Sequence, residues 1–244
     1  MSPNAPWEVR ERILACQDCQ LSSQPTIRPV PWSGPDHPEI VVVGEAPGAH
    51  ENARGVPFIG PAGQRARKWL SDIGEDPESV GFVNIVSCYP ARMPELAEIT
   101  ACGANFRSQM ELLAPKVVLV FGGVAFGQFW ANLALRTARG LWWQENMTWG
   151  PVFAMATWHP SYALREPDAD TAARADMRLF RLGLTGIRRG EMPLGRVRCG
   201  LCGREEGQAM RRYRQMPFCE GCEPAEEVLA RHFPEAVGFG PFDT

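Results

Sequence analysis

Val41-Val42-Val43-Gly44-Glu45-Ala46-Pro47-Gly48, followed by Gly55-Val56-Pro57-Phe58-Ile59-Gly60-Pro61-Ala62-Gly63, is the stretch of sequence whose reading decides the fold. A short β-branched apolar run that stops at Gly, then meets Pro and Gly again, reads as a buried parallel strand feeding a tight loop at its carboxyl end. In an open α/β sheet that is where ligands bind. The loop carries a carboxylate, Glu45, at its mouth and an aromatic ring, Phe58, between Pro57 and further glycines. An acid, a flat ring and closely approaching backbone suit a small planar ligand. The glycines have neither the spacing of a dinucleotide fingerprint nor the Lys-Ser/Thr ending of a P-loop, which argues against cofactor-dependent redox chemistry and nucleotide hydrolysis.

Outward from this stretch, strand and helix patterns alternate. Ile40 to Val43 is the first strand, and Gln64 to Ile73 has helical spacing. Phe82 to Val86 is a second strand, with Cys88 just beyond it, and Glu95 to Leu113 a helix. A third strand, Lys116 to Phe121, is broken by Gly122-Gly123 before a helix over Val124 to Leu135. The polar and aromatic stretch from Arg139 to Trp143 leads to a fourth strand, Val152 to Thr157, and Asp168 to Leu184 is the closing helix. This alternation predicts a three-layer α/β/α fold with a four-stranded parallel sheet.

The chemistry-bearing residues collect where these strands end: Glu45 at the first, Asn84 and Cys88 at the second, His159 at the fourth. Asn84 lies in an otherwise apolar run. A buried amide must be hydrogen-bonded or lose roughly 1–3 kcal/mol, so Asn84 either caps local backbone or turns its donor and acceptor toward a ligand. A lone histidine is more often structural than catalytic, but His159 sits at a strand's carboxyl end before a proline, where a loop must turn out of the sheet.

With 244 residues, 45% of them hydrophobic, the chain suits one sizeable domain plus a small appendage. The expected division is 1–185 for the α/β domain, 186–198 for a linker and 199–244 for a C-terminal segment. No window is apolar for long enough to span a bilayer, and the N-terminus lacks the basic and apolar regions of a signal peptide, so the expected location is the cytoplasm. The net charge of −3 argues against a blanket polyelectrolyte binder. Basic charge is nevertheless concentrated near the C-terminus, where eight arginines face three glutamates between Gly186 and Arg214.

In a reducing compartment eight cysteines point to metal ligation rather than disulfides. They fall into two quartets, Cys16, Cys19, Cys88 and Cys102, then Cys199, Cys202, Cys219 and Cys222. Cys16-Gln17-Asp18-Cys19, after a short helix over Pro6 to Gln17, can aim two thiolates at one cluster or ion, with two structural thiols or a redox pair as the alternative. At the C-terminus, two CxxC knuckles with internal glycines and a sixteen-residue gap match a tetrahedral Zn2+ site of ribbon type. So short a segment cannot bury a sufficient core alone, and the metal would supply its folding energy.

Taken together, the motifs resemble the family 4, or iron–sulfur, uracil-DNA glycosylases of the uracil-DNA glycosylase superfamily. The likeness runs from about Cys16 to Leu182 and leaves the zinc-ribbon-like segment outside. It rests on Gly44-Glu45-Ala46-Pro47-Gly48, Gly55-x-Pro57-Phe58-x-Gly60-x-Ala62-Gly63, Asn84-Ile85-Val86-x-Cys88 and His159-Pro160-Ser161-Tyr162-x-Leu164-Arg165. The sequence departs from the family where Asn52 follows Glu51 in place of a second acid, and where Ala163 replaces a leucine.

The resemblance implies removal of uracil from DNA by hydrolysis of its N-glycosidic bond, leaving free uracil and an abasic site. It implies that the nucleotide is flipped into a pocket, with Glu45 and His159 catalytic and Gly44, Phe58, Asn84 and Glu51 around the uracil. Leu164, with Arg165 beside it, would wedge into the vacated stack. Cys16, Cys19, Cys88 and Cys102 would hold a [4Fe–4S] cluster. The expected partner is uracil-containing DNA and the expected state a monomer; the sequence names no protein partner. One alternative is a protein that binds uracil or damaged DNA without cleaving it, using the zinc ribbon. Another is covalent trapping through a histidine on an inserted loop, which the histidine-free segment between Cys88 and Cys102 disfavours.

Overall fold

The computed structural model describes residues 5–130, 133–191 and 193, together with the backbone of four short strands further on. Its centre is a five-stranded sheet. Four strands are parallel: β1 (Ile40–Gly44), β2 (Gly81–Asn84), β3 (Val117–Phe121) and β5 (Gly150–Thr157). The fifth, β4 (Trp142–Met147), joins β5 as an antiparallel edge, giving the order β2-β1-β3-β5-β4.

The four parallel strands are those expected, and β4 is a correction to the four-stranded sheet. Its residues Gln144, Glu145 and Asn146 carry no apolar alternation, so pairing with β5 rather than intrinsic preference makes them a strand.

Every residue of β1 is buried, because helices cover both faces of the sheet. Side chains alternate between those faces. Val41 and Val43 of β1 and Val118 and Val120 of β3 pack with α1 (Pro6–Leu14), α4 (Leu96–Leu113) and α5 (Gly123–Phe129). Ile40 and Val42, with Val117, Leu119 and Phe121, pack against α3 (Pro61–Asp72) and α8 (Pro167–Arg188). Each such side chain is worth about 1.5–3 kcal/mol relative to leaving it in water. The result is the expected α/β/α sandwich.

Some boundaries differ from the sequence reading. The first helix stops at Leu14, which frees Cys16 for the turn that follows. The helix expected over 124–135 breaks into α5 and α6 (Leu135–Ala138), with Trp130 leaving the helical region. Helix α8 runs to Arg188, past the boundary expected at 185, where the Arg188 guanidinium bridges Glu39 and Glu75 at 2.8 Å each. Among the described residues no helix is long and apolar enough to cross a membrane.

Beyond α8, β6 (Val197–Arg198) pairs antiparallel with β7 (Glu205–Glu206), and β8 (Arg211–Tyr213) with β9 (Met216–Phe218). Cys199, Cys202, Cys219 and Cys222, on which the zinc expectation falls, lie outside the described residues.

Candidate active site at the carboxyl ends of the parallel strands

The direction of the chain reverses about β1: β2 lies on one side of it and β3, then β5, on the other. Such a switch point opens a crevice outside the carboxyl ends of the strands. Gly44 and Glu45, Asn84, Gly122 and His159 all arrive there.

Gly44 is required for close approach. A Cβ at that position would sit 2.6 Å from Asn84 Oδ1 and 2.6 Å from Phe58 Cζ, so the amide and the ring both close over a bare backbone. Phe58 is buried and holds φ +58°, a conformation that costs a bulky residue of order 1–3 kcal/mol. Three contacts fix it there. A Cβ at Gly63 would collide with the Phe58 backbone, so that glycine lets the chain pass. Arg67 Nε donates to the Phe58 carbonyl at 3.1 Å, and the ring packs on Phe82 with centroids 5.1 Å apart.

Asn84 is 6% exposed, yet its side chain makes no hydrogen bond among the described residues. It therefore does not cap local backbone. An unpaired buried amide costs roughly 1–3 kcal/mol, and here both its donor and its acceptor are available to a ligand.

His159 is the N-cap of α7 (Pro160–Ala163). Its Nδ1 accepts the Ser161 backbone N–H at 3.1 Å and lies 2.7 Å from the Ser161 hydroxyl. Burial, and secondarily the positive charge of Arg165, lowers its pKa to about 4. The ring is thus neutral near pH 7, with its proton on Nε2, which has no protein partner among the described residues. Gly122, at the end of β3, makes room for it: a Cβ there would lie 2.9 Å from His159 Cβ. The backbone of Gly122 at φ +89° and ψ 162° is in a region open essentially to glycine alone. In the sequence Gly122 reads only as a strand breaker, because its neighbour in space, His159, is far away in the chain.

Glu45 is partly buried, and desolvation raises its pKa above the ordinary 4.5. Among the described residues its carboxylate has neither a hydrogen bond nor an ion pair. The backbone around it is firmly held, since Val86 N donates to the Glu45 carbonyl at 3.0 Å.

Glu51, expected beside the uracil, links two loops. It lies in α2 (Ala49–Arg54), 6% exposed, and accepts Gly48 N at 3.0 Å, Ile59 N at 3.0 Å and Gly60 N at 2.6 Å. One buried carboxylate thus clamps the loop bearing Glu45 to the loop bearing Phe58. Leu164 and Arg165 stand at the rim, Leu164 with 44% of its surface exposed. Tyr162 beside them is 41% exposed and packs edge-on against Trp158.

On the α1–α4 side, Cys16, Cys19, Cys88 and Cys102 all line one small cavity. Cys88 and Cys102 are buried, Cys16 and Cys19 partly so. Burial first, then the negative charge of the other three thiols and Glu98, pushes the Cys88 pKa up to about 12. Thiols this crowded ionise together only around a cation. Ser87 N donates to Cys102 Sγ at 3.2 Å. Among the described residues no three His, Cys, Asp or Glu side chains close on a single metal ion. Four thiols lining one cavity, with no three of them set around a single ion, suit a cluster bridged by sulfide better than one zinc.

Residues 31–180 match the family described as the uracil DNA glycosylase superfamily, and the chain belongs to that superfamily. Among similar proteins, the likeness narrows to one branch. The chain is 33% identical over 178 residues to a type-4 uracil-DNA glycosylase of Archaeoglobus fulgidus, covering 70% of this chain and 88% of that one. It is 30% identical over 182 residues to the type-4 enzyme of Sulfurisphaera tokodaii, covering 71% and 82%. With that of Thermotoga maritima it shares 34% identity over 162 residues, covering 64% and 82%.

Proposed function

We propose that the protein is a DNA-repair glycosylase that flips uracil out of DNA and hydrolyses its N-glycosidic bond. The observation that carries this reading is the set of unpaired groups at the strand ends. Asn84, the Nε2–H of His159 and the Glu45 carboxylate lack protein partners among the described residues, although each is wholly or partly buried. A site that leaves an amide, a neutral imidazole donor and a carboxylate free is built to spend them on a ligand.

Each group has a task in that chemistry. Flipping costs a few kcal/mol in lost stacking and pairing, which stacking on Phe58 and the wedge of Leu164, with Arg165 beside it, would offset. The Asn84 amide would accept from uracil N3–H and donate to O4. Cytosine presents the opposite pattern, and leaving buried groups unpaired can discriminate by roughly 10⁴-fold. As the glycosidic bond breaks, negative charge develops on uracil O2, and the His159 Nε2–H would stabilise it, a contribution on the order of 3–4 kcal/mol. A neutral donor suits this role, because it stabilises the anion without needing to be protonated first. The ionised Glu45 would orient the attacking water and favour the cationic sugar. Glu51 serves by holding the Glu45 and Phe58 loops together, and through them the wall of the uracil pocket.

Cys16, Cys19, Cys88 and Cys102 would hold a [4Fe–4S] cluster, which would tie together the turn after α1, the loop after β2 and α4. Glycosidic hydrolysis gives it no electron to carry. The C-terminal cysteines would hold Zn2+. In support, β6 and β7 pair on either side of Cys199 and Cys202, as a metal knuckle requires. We assign the protein to the cytoplasm as a monomer acting on uracil-containing DNA.

The test is chromatographic detection of free base after incubating the purified protein with oligonucleotides carrying uracil, thymine or cytosine at one position. Release of uracil alone supports the reading. Tight binding of the uracil strand with no base released would make the protein a non-cleaving reader of uracil.

A further inference from the structure

Two places before His159, at the end of β5, lies a buried hydrogen-bond network that the mechanism above does not use. Thr157 is fully buried and its hydroxyl donates to Asp176 Oδ2 at 2.6 Å. Asp176 lies on α8, 4% exposed, and both of its oxygens are 2.8 Å from Arg139 Nη1. The same guanidinium donates to the Ala172 carbonyl at 3.4 Å. Backbone closes in from two further sides. Gly122 N donates to the Thr157 carbonyl at 3.0 Å, and Gly140 N donates to the Ala156 carbonyl at 2.9 Å. Gly140 itself holds φ +75°, and a Cβ there would be 2.8 Å from Asp176 Oδ1.

This arrangement is costly for a merely structural element. A largely buried Arg–carboxylate pair is weak support for stability, because desolvation offsets much of its attraction. What it does provide is direction. A short hydroxyl-to-carboxylate bond is charge-assisted and geometrically strict, and it acts on the last strand residue before the catalytic loop.

We propose that Thr157 and Asp176 are positioning residues for His159: the carboxylate, steadied by Arg139, fixes the end of β5 and thereby aims the imidazole Nε2–H at the leaving base. This rests on the glycosylase reading above. A misplacement of about 1 Å can cost roughly 10²-fold in rate, so the network's effect should fall on chemistry rather than on DNA binding.

The test compares Thr157→Val, which keeps the shape and removes the donor, with Thr157→Ser, which keeps the hydroxyl, and with Asp176→Asn, which keeps an acceptor. Single-turnover excision, uracil-DNA affinity and the imidazole ¹⁵N titration of His159 in the free protein are measured for each. For Thr157→Val we expect excision slowed by about 10–100-fold, affinity unchanged within about 2-fold, and the His159 pKa moved up from about 4 toward the ordinary 6.5. Thr157→Ser should restore the rate and the titration, and Asp176→Asn should lie between. A folded Thr157→Val with wild-type rate and titration would overturn the proposal, as would equal loss in all three variants. If wild-type protein releases no uracil, the glycosylase reading fails. The ¹⁵N titration still decides whether Thr157 positions the ring.

Discussion

The backbone N–H of Ser161 points at Nδ1 of His159 from 3.1 Å. A backbone N–H can only donate, so this contact fixes the tautomer: Nδ1 is bare, and the proton sits on Nε2. One local cap therefore turns a pH-sensitive residue into a constant hydrogen-bond donor.

The pH profile should follow. His159 titrates near 4, so no inflection is expected around 6.5. Glu45 must be ionised, and its pKa is raised by burial, so excision should fall as pH drops through a midpoint above 4.5 and stay level above it. Stability carries the mark of His159. Between 6.5 and about 4 the unfolded chain binds a proton there that the folded chain does not, so this contribution is complete above 6.5 and is lost as pH falls through that window. Urea unfolding of wild type and His159→Gln should show a stability gap that shrinks toward pH 4.

Gly122→Ala places a methyl 2.9 Å from His159 Cβ in a backbone region reserved for glycine. We expect about 1–3 kcal/mol of lost stability and excision slowed by roughly 10²-fold. Equal stability and rate would mean the loop relaxes without moving the ring.

Glu51→Gln replaces one of the two oxygens that Gly48, Ile59 and Gly60 share. An amide NH2 must then face at least one of those donors. A loss of about 2–4 kcal/mol is expected in denaturant unfolding, with weaker uracil binding because the two loops part. A variant as stable as wild type would show that the clamp is dispensable.

Removing Cys102 by substitution with Ser should strip both iron and acid-labile sulfide, about four of each per chain, and lower the melting temperature. Any zinc held by the C-terminal cysteines, as proposed above, should be unaffected. Loss of iron and sulfide with unchanged melting would show that the cluster does not tie the fold.

Much of this architecture was legible in the sequence because its causes are local. Apolar runs at Ile40–Val43 and Val117–Phe121 mark strands buried on both faces, and Gly44, Asn84 and His159 stand out by interrupting apolar runs or ending them. The features that escaped depend on partners distant in the chain. Strand β4 exists through its pairing with β5. The Glu51 carboxylate meets amides on two loops, and Asp176 meets Thr157 across nineteen residues. Gly122 reads as a strand breaker until His159 is seen against it. A sequence shows which residues can do chemistry; which of them hold the others in place appears only when the chain is folded.

The most direct test is a comparison of wild type, Glu45→Ala and His159→Ala on a single-uracil oligonucleotide, scored as alkali-labile abasic sites under single turnover. Abasic sites are expected from wild type, with rates lowered by about 10²-fold or more in each variant and uracil-DNA still bound. Wild-type rates in either variant would contradict the assigned chemistry, and an iron-loaded wild type that binds uracil-DNA without making abasic sites would contradict the enzyme itself.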